Sequence, residues 1–166
     1  MIIKATALSL ILLVCTLSGF YKTYSLKKRV KELEGLSRYL EKLMLEIRFS
    51  MKSIPAILDK IGIQALPLLN EILHIDKNNS MYDIYYTAKQ TTKNQMFLNN
   101  DDWVVLDVFF PALGGSDLDG QISLCKNTLI LLEKQIKQAE AVSNKYSKMY
   151  SSTGFLIGLF IVIIFL

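Results

Sequence analysis

The residues of this 166-residue chain that could do chemistry are few and scattered. His74 is the only histidine, so a histidine-rich metal set and a histidine relay both lack their usual parts. It stands near the end of a predicted helix, where a cap or surface role suits it. Asp101 and Asp102 could suggest paired carboxylates, but neighbours at a helix start are normally capping and dipole partners. Tyr82, Tyr85 and Tyr86 fall with Ala88 at helical spacing, which reads as a core face rather than a cofactor box. Cys15 and Cys125 have no CxxC neighbour, so no disulfide framework or zinc site is implied, and both are expected to be buried, reduced thiols. No Walker phosphate loop and no GxGxxG occurs. The expectation is a chain without catalytic residues, metal, cofactor or small-molecule substrate, with a structural or adaptor role.

The elements that hold these residues fall into three stretches: an apolar segment over 1–21, a helical middle over 22–150, and a second apolar segment over 151–166. Hydrophobic residues make up 51% of the chain and charged residues 20%. These averages look globular only because two apolar ends are pooled with a polar middle. The first segment is interrupted by Lys4 alone and has the roughly twenty residues that cross a bilayer core. A signal peptide would need small residues at a cleavage site, and Tyr21, Tyr24 and a basic cluster stand there instead. Leu12-Leu13-Val14-Cys15 loosely resembles a lipoprotein box, with Val14 too large before the cysteine. The second segment, counted from Ser151, makes about 24 Å of helix. That is short for a hydrocarbon core of about 30 Å, unless it starts at Tyr146 or thins the bilayer. Gly154 and Gly158 form a GxxxG pair suited to close packing of membrane helices.

The net charge of +4 is not spread evenly. Lys22, Lys27, Lys28, Arg29 and Lys31 follow the first segment, and Lys145 and Lys148 precede the second. A basic flank beside apolar segments points to a membrane surface, not to nucleic acid, which would call for a basic face interleaved with aromatics. The positive-inside rule puts both flanks, and hence the middle domain, in the cytoplasm, with both termini on the far side.

Helical periodicity dominates the middle. Leu26, Val30, Leu33, Ser37, Leu40, Met44, Ile47 and Met51 follow steps of four and three, widened by Leu36 and Leu43, and predict a long amphipathic helix ended near Pro55. Short helices follow: one from Ile54, capped by Ser53 and closed by Gly62, then one opened by Pro67 and ended by the polar cluster Asp76–Asn79. A third is capped by Ser80 with Asp83, and a fourth by Asp101 or Asp102, the latter with Val104, Val105 and Val108 as its strand-like residues. Gly114 suits a helix C-cap and Ser116 an N-cap, with Asp119 completing the box. Leu118, Ile122, Cys125, Leu129, Leu132, Ile136 and Ala139 then repeat in the same steps, continued by Ser143, Tyr146 and Tyr150. The fold class expected is all-α, a bundle of about six helices between an N-terminal and a C-terminal transmembrane helix.

Several stretches resemble the stage III sporulation protein AB family of endospore-forming bacteria. They are GFYKTYSLKKRVKELEGLSRYLEKLMLEIRFSMKSIP, FFPALGGSDLDGQISL and KMYSSTGFLIGLFIVIIFL. The pattern LG-x-SD-x-x-x-Q is met by Leu113, Gly114, Ser116, Asp117 and Gln121. The pattern K-M-x-x-S-x-GFL-x-G is met by Lys148, Met149, Ser152, Gly154, Phe155, Leu156 and Gly158. The stretch from Ile63 to Asn100 departs most, and Leu45 or its neighbours stand where the family often has an acidic residue. The resemblance implies a non-enzymatic part of the mother-cell membrane machinery that builds a channel to the forespore. It implies a soluble part similar to the cytoplasmic domain of the type II secretion platform protein F. It also implies as partner a secretion-type ATPase, stage III sporulation protein AA, besides membrane lipid and other channel components. Candidate positions for such a contact are Glu32, Glu34, Glu41 and Glu46 on the first helix, with Asp117 and Gln121 at the start of the last. The alternative is a membrane-anchored helical signalling protein, which would need a sensor domain on the far side. A secreted or lipid-anchored protein would need cleavage of the first segment or acylation at Cys15.

Overall fold

The computed structural model describes residues 2–50, 53–61, 66–75 and 79–165, and all the regular structure among them is helical. Six α-helices follow one another: α1 (Ile2–Phe49), α2 (Ile54–Ile61), α3 (Pro67–His74), α4 (Met81–Thr92), α5 (Asn100–Ala112) and α6 (Leu118–Phe165). A short 3-10 turn, Lys93–Gln95, follows α4. The all-α bundle with a long apolar helix at either end is thus as the periodicity predicts. Gly62, Met51 and most of the Asp76–Asn79 cluster, expected to close or extend helices, lie outside the described residues.

Two compact units divide the chain: residues 1–30 with 138–166, and residues 31–137. α1 and α6 each contribute to both.

In the first unit α1 and α6 run antiparallel and nearly touch along small residues. A Cβ placed on Gly19 would lie 2.5 Å from the Tyr150 carbonyl oxygen, and one on Gly154 would lie 2.8 Å from that of Cys15. Backbones this close are reached where the facing residues have no side chain, the small-residue mode of membrane helix packing. The Thr23 hydroxyl donates to the Ser147 carbonyl at 2.9 Å and fixes the register further along. α6 buries Ala139, Ser143 and Ser147 here, with Tyr146 and Tyr150 only partly covered. The seam therefore runs through residues every fourth position, and the expected step to Tyr146 is not taken, because a tyrosine would hold the helices apart. Outward, Leu10, Leu13, Val14, Leu17 and Phe20 on α1 and Phe155, Leu156, Phe160, Ile163 and Ile164 on α6 are exposed. Each helix contains a stretch long and apolar enough to cross a membrane. An exposed apolar surface of this extent belongs against lipid.

In the second unit the α1 stripe buries Leu33, Leu36, Tyr39, Leu40, Leu43 and Ile47. α3 packs on α4 and α4 on α5. α3 starts at Pro67 and contributes Leu68, Leu69 and Ile72. The centre is aromatic: Tyr85 stacks on Phe110 at 5.1 Å between centroids, and Phe109 meets Phe110 edge-on at 5.1 Å. α5 is fully helical despite its valines, and Val104 and Val108 lie on its exposed side. Pro111 sits in the last turn of α5.

Candidate interaction surface

Helix starts decide which charged side chains are available to a partner. α4 begins as predicted, with the Ser80 side chain accepting from the Asp83 backbone N–H. α5 begins two or three residues earlier than expected. Asn99 is its cap, accepting from the Asp102 N–H at 2.8 Å, and the Asp102 carboxylate accepts from the Asn99 N–H at 2.9 Å. Neither Asp101 nor Asp102 is the cap. Asp102 is buried as the second half of the box, and Asp101 is exposed in the first turn. The two carboxylates do not converge on a common site.

The turn between α5 and α6 also differs from the sequence expectation. Gly114 takes the left-handed conformation, φ +87, that ends α5. The cap of α6 is Asp117, whose carboxylate accepts from the Gly120 N–H at 3.0 Å, and not Ser116. The Ser116 hydroxyl instead accepts from the Gln121 side-chain amide at 2.8 Å, while the Gln121 carbonyl oxygen accepts from the Gly114 N–H at 3.0 Å. Gln121 is only 3% exposed and latches the turn onto α6. That latch turns Gln121 inward, so the buried α6 seam runs through Gln121, Cys125, Thr128 and Leu132, while Leu118 faces outward. Asp117→Ala is therefore expected to lower stability by about 0.5–2 kcal/mol, more than Ser116→Ala, as read from chemical denaturation of the full chain in detergent. An equal or larger loss for Ser116→Ala would make the serine the cap after all.

The six positions proposed for a partner surface separate on burial. Glu32 is 2% exposed, and its carboxylate accepts from the Phe97 backbone N–H at 2.7 Å, which ties α1 to the segment before α5. Glu32 and Gln121 are thus internal and offer no surface. Glu46 is half-buried and pairs with Lys60 of α2 at 2.7 Å. Asp117 is exposed but engaged as the cap. Glu34, weakly paired with Arg38 at 3.6 Å, and exposed Glu41 remain on the surface of α1. Gly154 and Gly158 lie against α1, where a Cβ on Gly158 would sit 3.2 Å from that of Cys15.

His74 is exposed in the last turn of α3. No group of three or more metal-ligating side chains occurs among the described residues. Of the three tyrosines only Tyr85 is core, while Tyr82 and Tyr86 are exposed. Burial, and then its bond to Asp107, push the Tyr85 hydroxyl well above its ordinary range. That bond is a donation to the Asp107 carboxylate at 2.6 Å, and Lys89 pairs with the same oxygen, over the faces of Trp103 and Tyr86. Neither spacing nor motif marks this Tyr85–Asp107–Lys89 cluster in the sequence, because its members come from two helices. Cys125 is buried and its thiol is pushed up to about 11, which leaves it inert near neutral pH.

A cleft of about 710 Å³ opens where the end of α1, the starts of α2 and α4 and the α5–α6 turn meet. Ile47, Ile54, Tyr82, Leu113 and Leu118 line it.

The profile of the stage III sporulation protein AB family matches residues 4–166. No curated protein and no solved structure matches the chain, so the likeness to the type II secretion platform protein rests on the sequence resemblance alone. With nearly its whole length matched, and with an all-helical architecture whose first and last helices are apolar enough to enter a membrane, the chain belongs to the stage III sporulation protein AB family.

Proposed function

We propose that the chain is a non-enzymatic membrane adaptor of the sporulation channel between mother cell and forespore, coupling a secretion-type ATPase to the membrane complex. Family membership gives a role at stage III of sporulation. The observation that carries the finer reading is the division of α1 and α6 between an apolar, small-residue-packed pair and a polar helical unit. Such a chain holds a folded domain beside a membrane, and the residues most open to chemistry, Tyr85, Asp107 and Asp102, are engaged with one another or with the backbone. The proposed partner is the stage III sporulation protein AA ATPase, with membrane lipid and other channel components around it. The proposed place is the mother-cell membrane facing the forespore, with residues 31–137 in the cytoplasm, supported by the basic flank from Lys22 to Lys31 and by Lys145 and Lys148.

Two experiments test this. A reporter fused after Leu166 is expected outside the cytoplasm and one inserted near Asn79 inside it; a cytoplasmic reporter after Leu166 contradicts the two-span topology. Glu34→Lys with Glu41→Lys is expected to weaken co-purification of the ATPase about tenfold or more while leaving helical content unchanged. These two positions are interpretable because neither is buried and neither caps a helix. Unchanged co-purification would remove this face of α1 from the contact.

A further inference from the structure

The antiparallel register of α1 and α6 brings two basic clusters into one layer. From the Gly19–Gly154 contact, α1 runs through Tyr21, Lys22, Tyr24, Lys27 and Lys28 as α6 runs back through Tyr150, Lys148, Tyr146 and Lys145. The Thr23–Ser147 hydrogen bond lies inside this layer and holds the two halves level. At 1.5 Å per residue the stretch from Tyr21 to Lys28 is about 10 Å deep, close to the depth of a headgroup region once lysine stems extend.

The composition of the layer is one-sided. Lys22, Lys27, Lys145 and Lys148 are exposed and Lys28 is half-exposed. None of the five is ion-paired among the described residues, and Glu140 is the one acidic residue in this unit. Tyr21 and Tyr24 are exposed, and Tyr146 and Tyr150 lie with their rings 6.1 Å apart, Lys145 standing 5.2 Å over the first. Directly beyond the layer the outer surface becomes apolar, through Phe20 and Leu17 on α1 and Phe155 and Leu156 on α6. Uncompensated ammonium groups, amphipathic rings and an adjoining apolar surface are the parts that hold a phosphate, a glycerol backbone and acyl chains, in that order.

We propose that this lysine–tyrosine layer is a binding site for anionic phospholipid, seated by its headgroup phosphate on Lys22, Lys27, Lys28, Lys145 and Lys148. The site selects anionic over zwitterionic lipid, and an annulus of such lipid surrounds the pair of helices wherever the chain resides. It does not depend on the side of the membrane on which the layer lies, nor on the adaptor reading.

The full chain in neutral detergent, titrated with phosphatidylglycerol or phosphatidylcholine and read by native mass spectrometry, tests this. Phosphatidylglycerol is expected to bind about tenfold or more tightly, with the preference shrinking as salt is raised to about 0.5 M. Replacing the five lysines by glutamine is expected to abolish the preference. Replacing Lys42, Lys93, Lys126, Lys134 and Arg48 by glutamine, which removes the same charge from residues 31–137, is expected to leave it intact. Equal binding of the two lipids by the unaltered chain would overturn the proposal, as would equal loss in both charge variants. Displacement of phosphatidylglycerol by excess inorganic phosphate would assign the site to free anions instead, and would also overturn it.

Discussion

Replacement of Phe110 by alanine is expected to destabilise the helical unit by about 3–5 kcal/mol, the largest loss from any single truncation in it. Phe110 is fully buried, stacks on Tyr85 and meets Phe109 edge-on. Its removal forfeits aromatic contacts and leaves a cavity beneath the Tyr85–Asp107–Lys89 cluster, which the helices cannot close without breaking the Tyr85–Asp107 bond. Natural domains have about 5–15 kcal/mol in hand, so a loss of this size reaches a large share of the total. The one tryptophan, Trp103, is buried on α5 beside Lys89 and reports this unit alone, so its fluorescence during denaturation of the full chain measures the effect. Val108→Ala on the exposed side of the same helix is expected to change stability by no more than about 0.5 kcal/mol. Similar losses for the two variants would show that the cluster is not the core.

The second large effect belongs to the apolar pair. Gly19→Leu is expected to force α1 and α6 apart, because even its Cβ would lie 2.5 Å from the Tyr150 carbonyl oxygen, a backbone atom that cannot step aside. Overpacking of this kind costs about 1–3 kcal/mol, which is comparable to what small-residue packing contributes in a bilayer. The readout is an engineered disulfide. In Gly158→Cys the new Cβ stands near that of Cys15, so mild oxidation is expected to give an intramolecular disulfide seen as a shift on a non-reducing gel. Adding Gly19→Leu is expected to suppress it. Efficient oxidation in the double variant would mean that the helices do not meet at Gly19.

The Gly154 and Gly158 pair illustrates how much of the fold was legible from residue order. The spacing of apolar residues on α1, Pro67 at the start of α3, Ser80 with Asp83 on α4 and Gly114 after α5 are local signals, and local signals survive in a sequence. The misplaced caps have a local cause of another kind. Asn99, Asp101 and Asp102 can each cap a helix, as can Ser116 and Asp117, and the choice is made by which side-chain oxygen the free N–H groups of the following turn reach. On α6 a four-three stripe can be drawn through Leu118 and Ile122 or, one position round, through Gln121 and Thr128. Hydrophobicity favoured the first, but the hydrogen bonds of Gln121 to the turn select the second. Glu32 was unreadable for a different reason. A glutamate on a helix normally faces water, and its partner, the Phe97 N–H, stands 65 residues away. Of the positions expected to meet a partner, the buried ones were those whose side chains complete the fold.

The most direct test of the adaptor account is flotation with two purified components. The full chain is reconstituted into vesicles, and the stage III sporulation protein AA ATPase is added and the mixture spun through a density gradient. The account predicts that the ATPase floats with vesicles carrying the chain and stays at the bottom with empty vesicles, and that Glu34→Lys with Glu41→Lys reduces the floated fraction. An ATPase that stays at the bottom with both kinds of vesicle, at low salt as well as high, would contradict it.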